Sequence, residues 1–252
     1  MIYINGKKNG EFILDSSMYF GEGVFETIYV NEQAIFLKEH IERLNNSSKI
    51  LGINKEINFL DVKNFIEEKK IRNCALKINL TEKNIIFSTK ELTYKREHYE
   101  KGFSLALSKV IRNSTSILTY IKSMCYIENL IEKKKAIRQG FEECIFLNEK
   151  GFLTEGSTSN MFFVKKNKIY TPAVSCGLLN GIVRRWIINN FKVIEGEFLL
   201  KDLHECEGIF LTNSLMGIMN VRNFNNIKFE TNNIIKEIQK YYLKEINGGF
   251  SL

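Results

Sequence analysis

A single proline (Pro172), with no low-complexity tract and no internal repeat, excludes a proline-rich linker and a stacked-repeat architecture. Long apolar runs are missing too. Stretches such as Gly208-Ile209-Phe210-Leu211 have the length of a strand and are far too short to cross a bilayer. The opening Met1-Ile2-Tyr3-Ile4-Asn5-Gly6-Lys7 reads directly as a strand and lacks the charged-then-apolar layout of a secretion signal. Cys74, Cys125, Cys144, Cys176 and Cys206 are odd in number, scattered, and without a C-x-x-C pair. This argues against a disulfide framework and a structural zinc site, so no metal is expected and the compartment is read as cytoplasmic.

What is present is ordinary in bulk. The 252 residues are 44% hydrophobic and 26% charged, as in globular proteins, with room for one large domain or two modest ones. Lysine and arginine exceed the acidic residues by 36 to 29, a formal charge of +7. The densest basic cluster, Lys133-Lys134-Lys135, falls between Ile131 and Ile137 at helical spacing and reads as a solvated helix face. No nucleic-acid motif accompanies it, and mild positive charge equally suits anionic cofactors and carboxylate substrates. Neither nucleic acid nor a membrane is expected as a partner.

Along the chain, Ile2–Asn5, Phe12–Leu14 and the longer Gly23–Val30 read as strands, with Ala34–Leu37 as a hairpin partner. Ile41, Leu44 and Leu51 mark one helix; Phe59, Val62 and Ile66 mark a second. Strands Ala75–Thr81, Asn84–Ser88 and Phe103–Val110 complete an α+β domain expected over residues 1–110. Residues 111–117 are polar and unpatterned at their start, the expected linker, and 118–252 form the second domain. There, Tyr126–Gln139 is expected to be helical with Ile127, Leu130, Ile131 and Ile137 on one side. Hairpins turn at Asn148–Gly151 and at Lys166-Asn167. Further helices are expected at Gly181–Asn190, Lys201–Cys206 and Thr231–Ile246, with strands at Lys192–Phe198 and Ile209–Thr212.

Two residues suggest chemistry. Lys122, after the strand-like Thr119-Tyr120-Ile121, offers a primary amine; Glu155 offers a carboxylate on another element. An amine that forms an imine and a carboxylate that keeps a ring nitrogen protonated are what a pyridine-aldehyde cofactor requires. Glu155 opens Glu155-Gly156-Ser157-Thr158-Ser159-Asn160, whose glycine allows close backbone approach and whose hydroxyls can bond polar groups. Three places suit a phosphate: Arg43 in His40-Ile41-Glu42-Arg43-Leu44, the helix start at Asn180-Gly181-Ile182-Val183-Arg184, and the strand end Thr212-Asn213-Ser214-Leu215. Each alone reads more simply as structural.

The motifs Phe20-Gly21-Glu22-Gly23-Val24-Phe25-Glu26-Thr27, His40–Leu44, Ile121-Lys122-Ser123, Leu153–Asn160 and Asn180–Arg184 occur in this order. Together they resemble the class IV (fold-type IV) pyridoxal-phosphate enzymes, which include branched-chain and D-amino-acid aminotransferases and aminodeoxychorismate lyases. The resemblance covers nearly the whole chain. It implies an α+β, two-domain fold like that of D-amino-acid aminotransferase, with a small N-terminal α/β domain and a larger C-terminal mixed β domain with helices. It implies pyridoxal 5'-phosphate as cofactor, Lys122 as its Schiff-base lysine and Glu155 as partner of the pyridine nitrogen. By the same resemblance Arg43, the backbone of Ile182 and Val183, and the Ser214-Leu215 turn hold the phosphate. A homodimer and a small-molecule amine or carboxylate substrate are also implied.

Within the family, Ile127 stands where branched-chain aminotransferases usually carry a tyrosine. Thr27 and the stretch Thr212–Val221 resemble the lyases. The expectation is therefore a lyase converting 4-amino-4-deoxychorismate to 4-aminobenzoate and pyruvate, with Thr27 guiding a proton to the departing enolpyruvyl group. The alternative is a D-amino-acid or branched-chain aminotransferase. Many relatives bind substrate carboxylates with an Arg-Gly-rich loop, which is cut here to Thr81-Glu82-Lys83-Asn84; Lys83, Arg112 and Arg184 remain open as substitutes.

Overall fold

The computed structural model describes residues 1–224, 227–230 and 232–247. The chain divides into two compact units, Met1–Thr93 with Ile121–Tyr126, and Tyr94–Tyr120 with the chain from Ile127 on.

The first unit is built on one antiparallel sheet. Its elements are β1 (Ile2–Ile4), β2 (Lys7–Lys8), α1 (Ser16–Phe20), β3 (Gly23–Val30), α2 (Leu37–Ile50), α3 (Phe59–Glu68), β4 (Cys74–Thr81) and β5 (Ile85–Lys90), with strand order β2-β1-β5-β4-β3. Side chains alternate across a strand, so Val24, Ile28 and Val30 of β3 share one face. They form a core with the Ile41-Leu44 stripe of α2 and with Val62 and Ile66 of α3. The same alternation sends Phe25, Thr27 and Tyr29 to the opposite face.

Two local expectations fail here. Phe12–Leu14 is irregular, and Asp15 instead caps α1 by accepting from Ser17 N. Ala34 makes one isolated bridge to Val30 before α2 begins, so no hairpin strand forms. Asp15 also locks the shortened 81–84 turn, accepting from Thr81 Oγ1 (2.5 Å), Lys83 N (3.0 Å) and Asn84 Nδ2 (3.1 Å). Burial alone would raise its carboxyl pKa, but these donors outweigh it and hold the group at about 2 instead of 3.8.

The second unit contains α4 (Arg96–Lys101), β6 (Phe103–Arg112), α5 (Ile127–Arg138), β7 (Glu143–Asn148), β8 (Leu153–Gly156), β9 (Asn160–Lys165), β10 (Lys168–Pro172), α6 (Ile182–Asn190), β11 (Val193–Gly196), β12 (Gly208–Asn213), β13 (Gly217–Phe224), β14 (Ile227–Lys228) and α7 (Asn233–Ile246). The strand order is β11-β10-β9-β12-β13-β6-β7-β8, and β8 returns to β9 through the pair Glu155 and Asn160. Six strands thereby close into a barrel filled by Leu105, Ile145, Leu153, Met161 and Leu211, among others. The β9–β10 turn places Lys166 and Asn167 at φ of 50° and 56°, the left-handed pair that a two-residue hairpin requires.

The expected boundary near residue 110 falls earlier, because β6 hydrogen-bonds in parallel to β7 and β13 and so belongs to the barrel. At the end of the expected linker and just beyond it, Ile117–Thr119 is a short 3-10 helix rather than a strand leading to Lys122. Lys201–Cys206 likewise shortens to a 3-10 helix over Leu200–Leu203. The expected helix from Thr231 begins at Asn233, capped by the Asn232 side chain; Thr231 and residues 248–252 lie outside the described residues.

Helix α5 is turned over relative to expectation. Its buried residues are Asn129, Glu132 and Ala136, whereas Ile127 (66%), Leu130 (43%), Ile131 (44%) and Ile137 (56%) are exposed. The inward polar groups are satisfied: Asn129 Nδ2 donates to Ser157 O, and Glu132 accepts from Ser108 Oγ. Lys133, expected in solvent, instead pairs with the buried Glu143 at 3.1 Å.

Candidate active site

Lys122 belongs to the first unit because the segment around it docks on the open edge of β3. Phe25 N donates to Lys122 O (2.9 Å) and Met124 N to Gly23 O (2.8 Å), with Val24 and Ser123 bridged between them. Both glycines of Phe20-Gly21-Glu22-Gly23 serve this docking. Gly21 has φ 70°, and a Cβ on it would lie 2.9 Å from Cys125 Sγ; a Cβ on Gly23 would lie 2.5 Å from Met124 Sδ. The half-buried Lys122 amine is held 4.6 Å from the Phe25 ring centroid and 5.3 Å from that of Tyr126, with the two rings edge-to-face. Thr27 is half-buried on the same face of β3 as Phe25.

On the core side of β3, Glu26 is fully buried beneath α2. Arg43 Nε donates to Glu26 Oε1 at 2.6 Å and Arg43 Nη2 to Oε2 at 2.8 Å, while His40 Nδ1 lies 2.7 Å from Oε2. Burial alone would raise the Glu26 pKa; Arg43 and His40 overcome it and hold the carboxyl far below the usual range. Burial pushes the His40 pKa down despite Glu26, and its Nε2 has no hydrogen-bond partner. Arg43 therefore commits its Nε and Nη2 donors to Glu26 rather than offering that edge to a phosphate.

In the second unit Glu155 sits at the seam that closes the barrel. Its Oε2 accepts from Leu179 N (3.1 Å) and Asn160 Nδ2 (3.3 Å), and Arg112 Nη2 stands 3.9 Å from its Oε1. Arg112 in turn donates to Glu128 and lies 4.0 Å over the Phe146 ring. The carboxylate is turned inward, with its residue only 8% exposed. The hydroxyls of Ser157, Thr158 and Ser159, expected to await a ligand, all donate to the buried Glu143 carboxylate. They shape the loop rather than line an opening.

The phosphate candidates of this unit divide. Gly181 caps α6 with no side-chain partner, leaving the Ile182 and Val183 amides at a helix start, and a Cβ on Gly181 would collide with Asn160 Oδ1. Arg184 is buried and engaged with Asn180, Pro172 O and Glu195, so it braces the helix. In the 213–216 turn, Leu215 N donates to Asn213 Oδ1 at 3.0 Å, so that amide serves its own turn. Beside it Thr212 Oγ1 is buried without a partner among the described residues, a polar atom suited to an anion's oxygen.

Phe25, Tyr126 and Lys77 carry no role in the sequence expectations, whereas Thr212 stands in the strand end already offered for a phosphate. The strand alternation of Gly23–Val30 and Ala75–Thr81 held a signal for Phe25 and Lys77. No described group of His, Cys, Asp and Glu could hold a metal ion, and no described helix is long and apolar enough to cross a membrane.

The model of the amino-transferase class IV family matches residues 23–224, and the chain belongs to that family. Aminodeoxychorismate lyase of Bacillus subtilis (strain 168) is 30% identical, over 98% of this chain and 94% of that one. A protein named putative branched-chain-amino-acid aminotransferase, from Methanocaldococcus jannaschii, is 29% identical over 87% of this chain and 86% of its own. Among solved structures, the putative 4-amino-4-deoxychorismate lyase of Legionella pneumophila superposes with TM-score 0.86 at 29% identity, covering 95% and 96% of the two chains. The fold is accordingly fold-type IV.

Proposed function

We propose that this chain is a lyase that converts 4-amino-4-deoxychorismate into 4-aminobenzoate and pyruvate. The cofactor is pyridoxal 5'-phosphate, and the residues present fit it: an amine held against two rings, an inward carboxylate, an uncapped helix start and a buried, partnerless threonine hydroxyl. Lys122 is proposed as its attachment point, Glu155 as the group at the ring nitrogen, and Ile182, Val183 and Ser214 as the phosphate's neighbours, while Arg43 and the Leu215 amide are engaged by Glu26 and Asn213. When bound, the cofactor supplies a cationic ring that accepts the electron pair of a breaking C–H bond.

The chain's own groups then divide the work. Lys122 takes the proton from the substrate carbon that bears the amine. Glu155, oriented by Leu179 N and Asn160, keeps the ring-nitrogen proton in place. Thr27 passes a proton toward the enolpyruvyl carbon as the ether bond breaks, so that pyruvate leaves and the ring becomes aromatic. The exposed Ile127, Leu130, Ile131 and Ile137 of α5 support a homodimer, because exposed apolar stripes mark interaction faces. The five unpaired thiols are compatible with a cytoplasmic setting.

The observation that carries the lyase reading is the 30% identity to a lyase across 98% of the chain. Similarity to aminotransferases at 29% keeps transamination as the second reading. The test is to supply 4-amino-4-deoxychorismate and measure 4-aminobenzoate and pyruvate, alongside a transamination assay with branched-chain and D-amino acids. Wild-type protein should form both products, and Lys122→Ala should lose at least about a hundredfold in rate. Amino-group transfer without 4-aminobenzoate would overturn the lyase reading.

A further inference from the structure

We propose that Lys77 binds a carboxylate of the substrate. The inference deepens the reading above and rests on it, since Lys122 must be where the substrate's amine reacts. Lys77 lies on β4 directly opposite Thr27 of β3, on the sheet face that carries Phe25 and away from the helical core. Its Nζ stands 4.4 Å from the Phe25 ring centroid, and Lys122 Nζ stands 4.6 Å from the same centroid. The two amines are no farther apart than the sum of those distances, a span that a small amine-bearing carboxylate covers. Lys77 thus places a cation beside the residues proposed to accept and deliver protons.

A bland role for Lys77 would be to extend along the sheet and leave its amine in water, as surface lysines do. Instead the amine folds onto an aromatic ring, and among the described residues it forms no ion pair. Burial pushes its pKa down, with the charge of Lys90 adding to the effect. A half-buried ammonium facing a ring and further lysines is a charge in need of an anion. The other substitutes for the lost arginine loop are engaged elsewhere. Lys83 Nζ donates to Leu14 O, Arg184 is buried against Glu195, and Arg112 lies between Glu128 and Glu155.

The test is calorimetric titration of the cofactor-loaded protein with two carboxylates and their amides. These are 4-aminobenzoate against 4-aminobenzamide, and 4-methyl-2-oxopentanoate against 4-methyl-2-oxopentanamide. Wild-type protein is expected to bind one carboxylate ten- to a hundredfold more tightly than its amide, on the order of one charge-assisted hydrogen bond. Lys77→Met should erase that preference and Lys77→Arg should keep most of it, whereas a purely structural lysine would shift acid and amide alike. An unchanged preference in Lys77→Met, or none in wild-type protein, overturns the proposal. The cofactor's visible absorbance, read on the same samples, separates the two claims. Present in wild type, it confines a negative result to Lys77; absent, it overturns the assignment of Lys122 and this proposal with it.

Discussion

Helices α2 and α5 look alike in sequence, each carrying an apolar stripe at helical spacing, yet they use it in opposite ways. In α2 the stripe is covered by β3, β4 and α3 of its own unit, with Leu44 only 1% exposed. In α5 the stripe faces out and the polar side faces in, where Asn129, Glu132 and Lys133 find partners on the barrel and its loops. Amphipathic periodicity states which residues leave water when a partner is present; it does not state who the partner is. Both helices bury polar groups, but α2 does so around a carboxylate fully removed from solvent. That difference sets the order of the effects expected below.

The largest effect is expected at the buried end of α2. Glu26→Ala strands Arg43 and His40 without their shared carboxylate and should cost about 3–5 kcal/mol in chemical denaturation. A cost below about 1 kcal/mol would mean that Arg43 and His40 find other anchors, removing the distinction drawn for α2.

Next comes the stripe itself. Leu44→Ala should destabilise the fold by about 2–5 kcal/mol, and Ile131→Ala by no more than about 0.5 kcal/mol. Sedimentation should show the reverse ranking, with Ile131→Ala weakening self-association and Leu44→Ala leaving it intact. Equal folding costs would show that α5 is covered within one chain after all.

The smallest effect is a pH slope. His40 has its folded pKa below 6.5, so the unfolded chain binds the extra proton and stability falls as pH drops below 6.5. Glu132 of α5 has its pKa lowered below 4.5, chiefly by its hydrogen bond from Lys135, so its contribution is kept until pH falls below 4.5. Denaturation between pH 7 and pH 5.5 (~1.5 units) should therefore show a slope that His40→Gln flattens and Glu132→Gln leaves in place. A slope unchanged by His40→Gln would place the titrating group elsewhere.

Much of the fold was legible because its signals are local. Gly23–Val30, Cys74–Thr81 and the Lys166-Asn167 hairpin follow from alternation and turn chemistry. The family motifs are also what puts forward Lys122 and Glu155 as the proposed amine and carboxylate. What could not be read was non-local. The strand Phe103–Arg112 has the same periodicity whichever sheet receives it, and only its parallel pairing with β7 and β13 assigns it to the barrel. The Ser157–Ser159 hydroxyls read as available until Glu143, 14 to 16 residues away, claims them. Asp15, 66 residues before Thr81, gives no sequence sign that it will lock the shortened turn.

By itself, the amino-acid sequence determined most of the long strands and helices and the family, because each depends on neighbours within a few positions or on ordered motifs. Tertiary structure decided which face of α5 is buried, which acid holds Arg43, and which lysine stands beside Lys122 over Phe25. Those outcomes depend on desolvated charges and donors finding partners across the sheet and the barrel, and such partners are neighbours in space rather than along the chain.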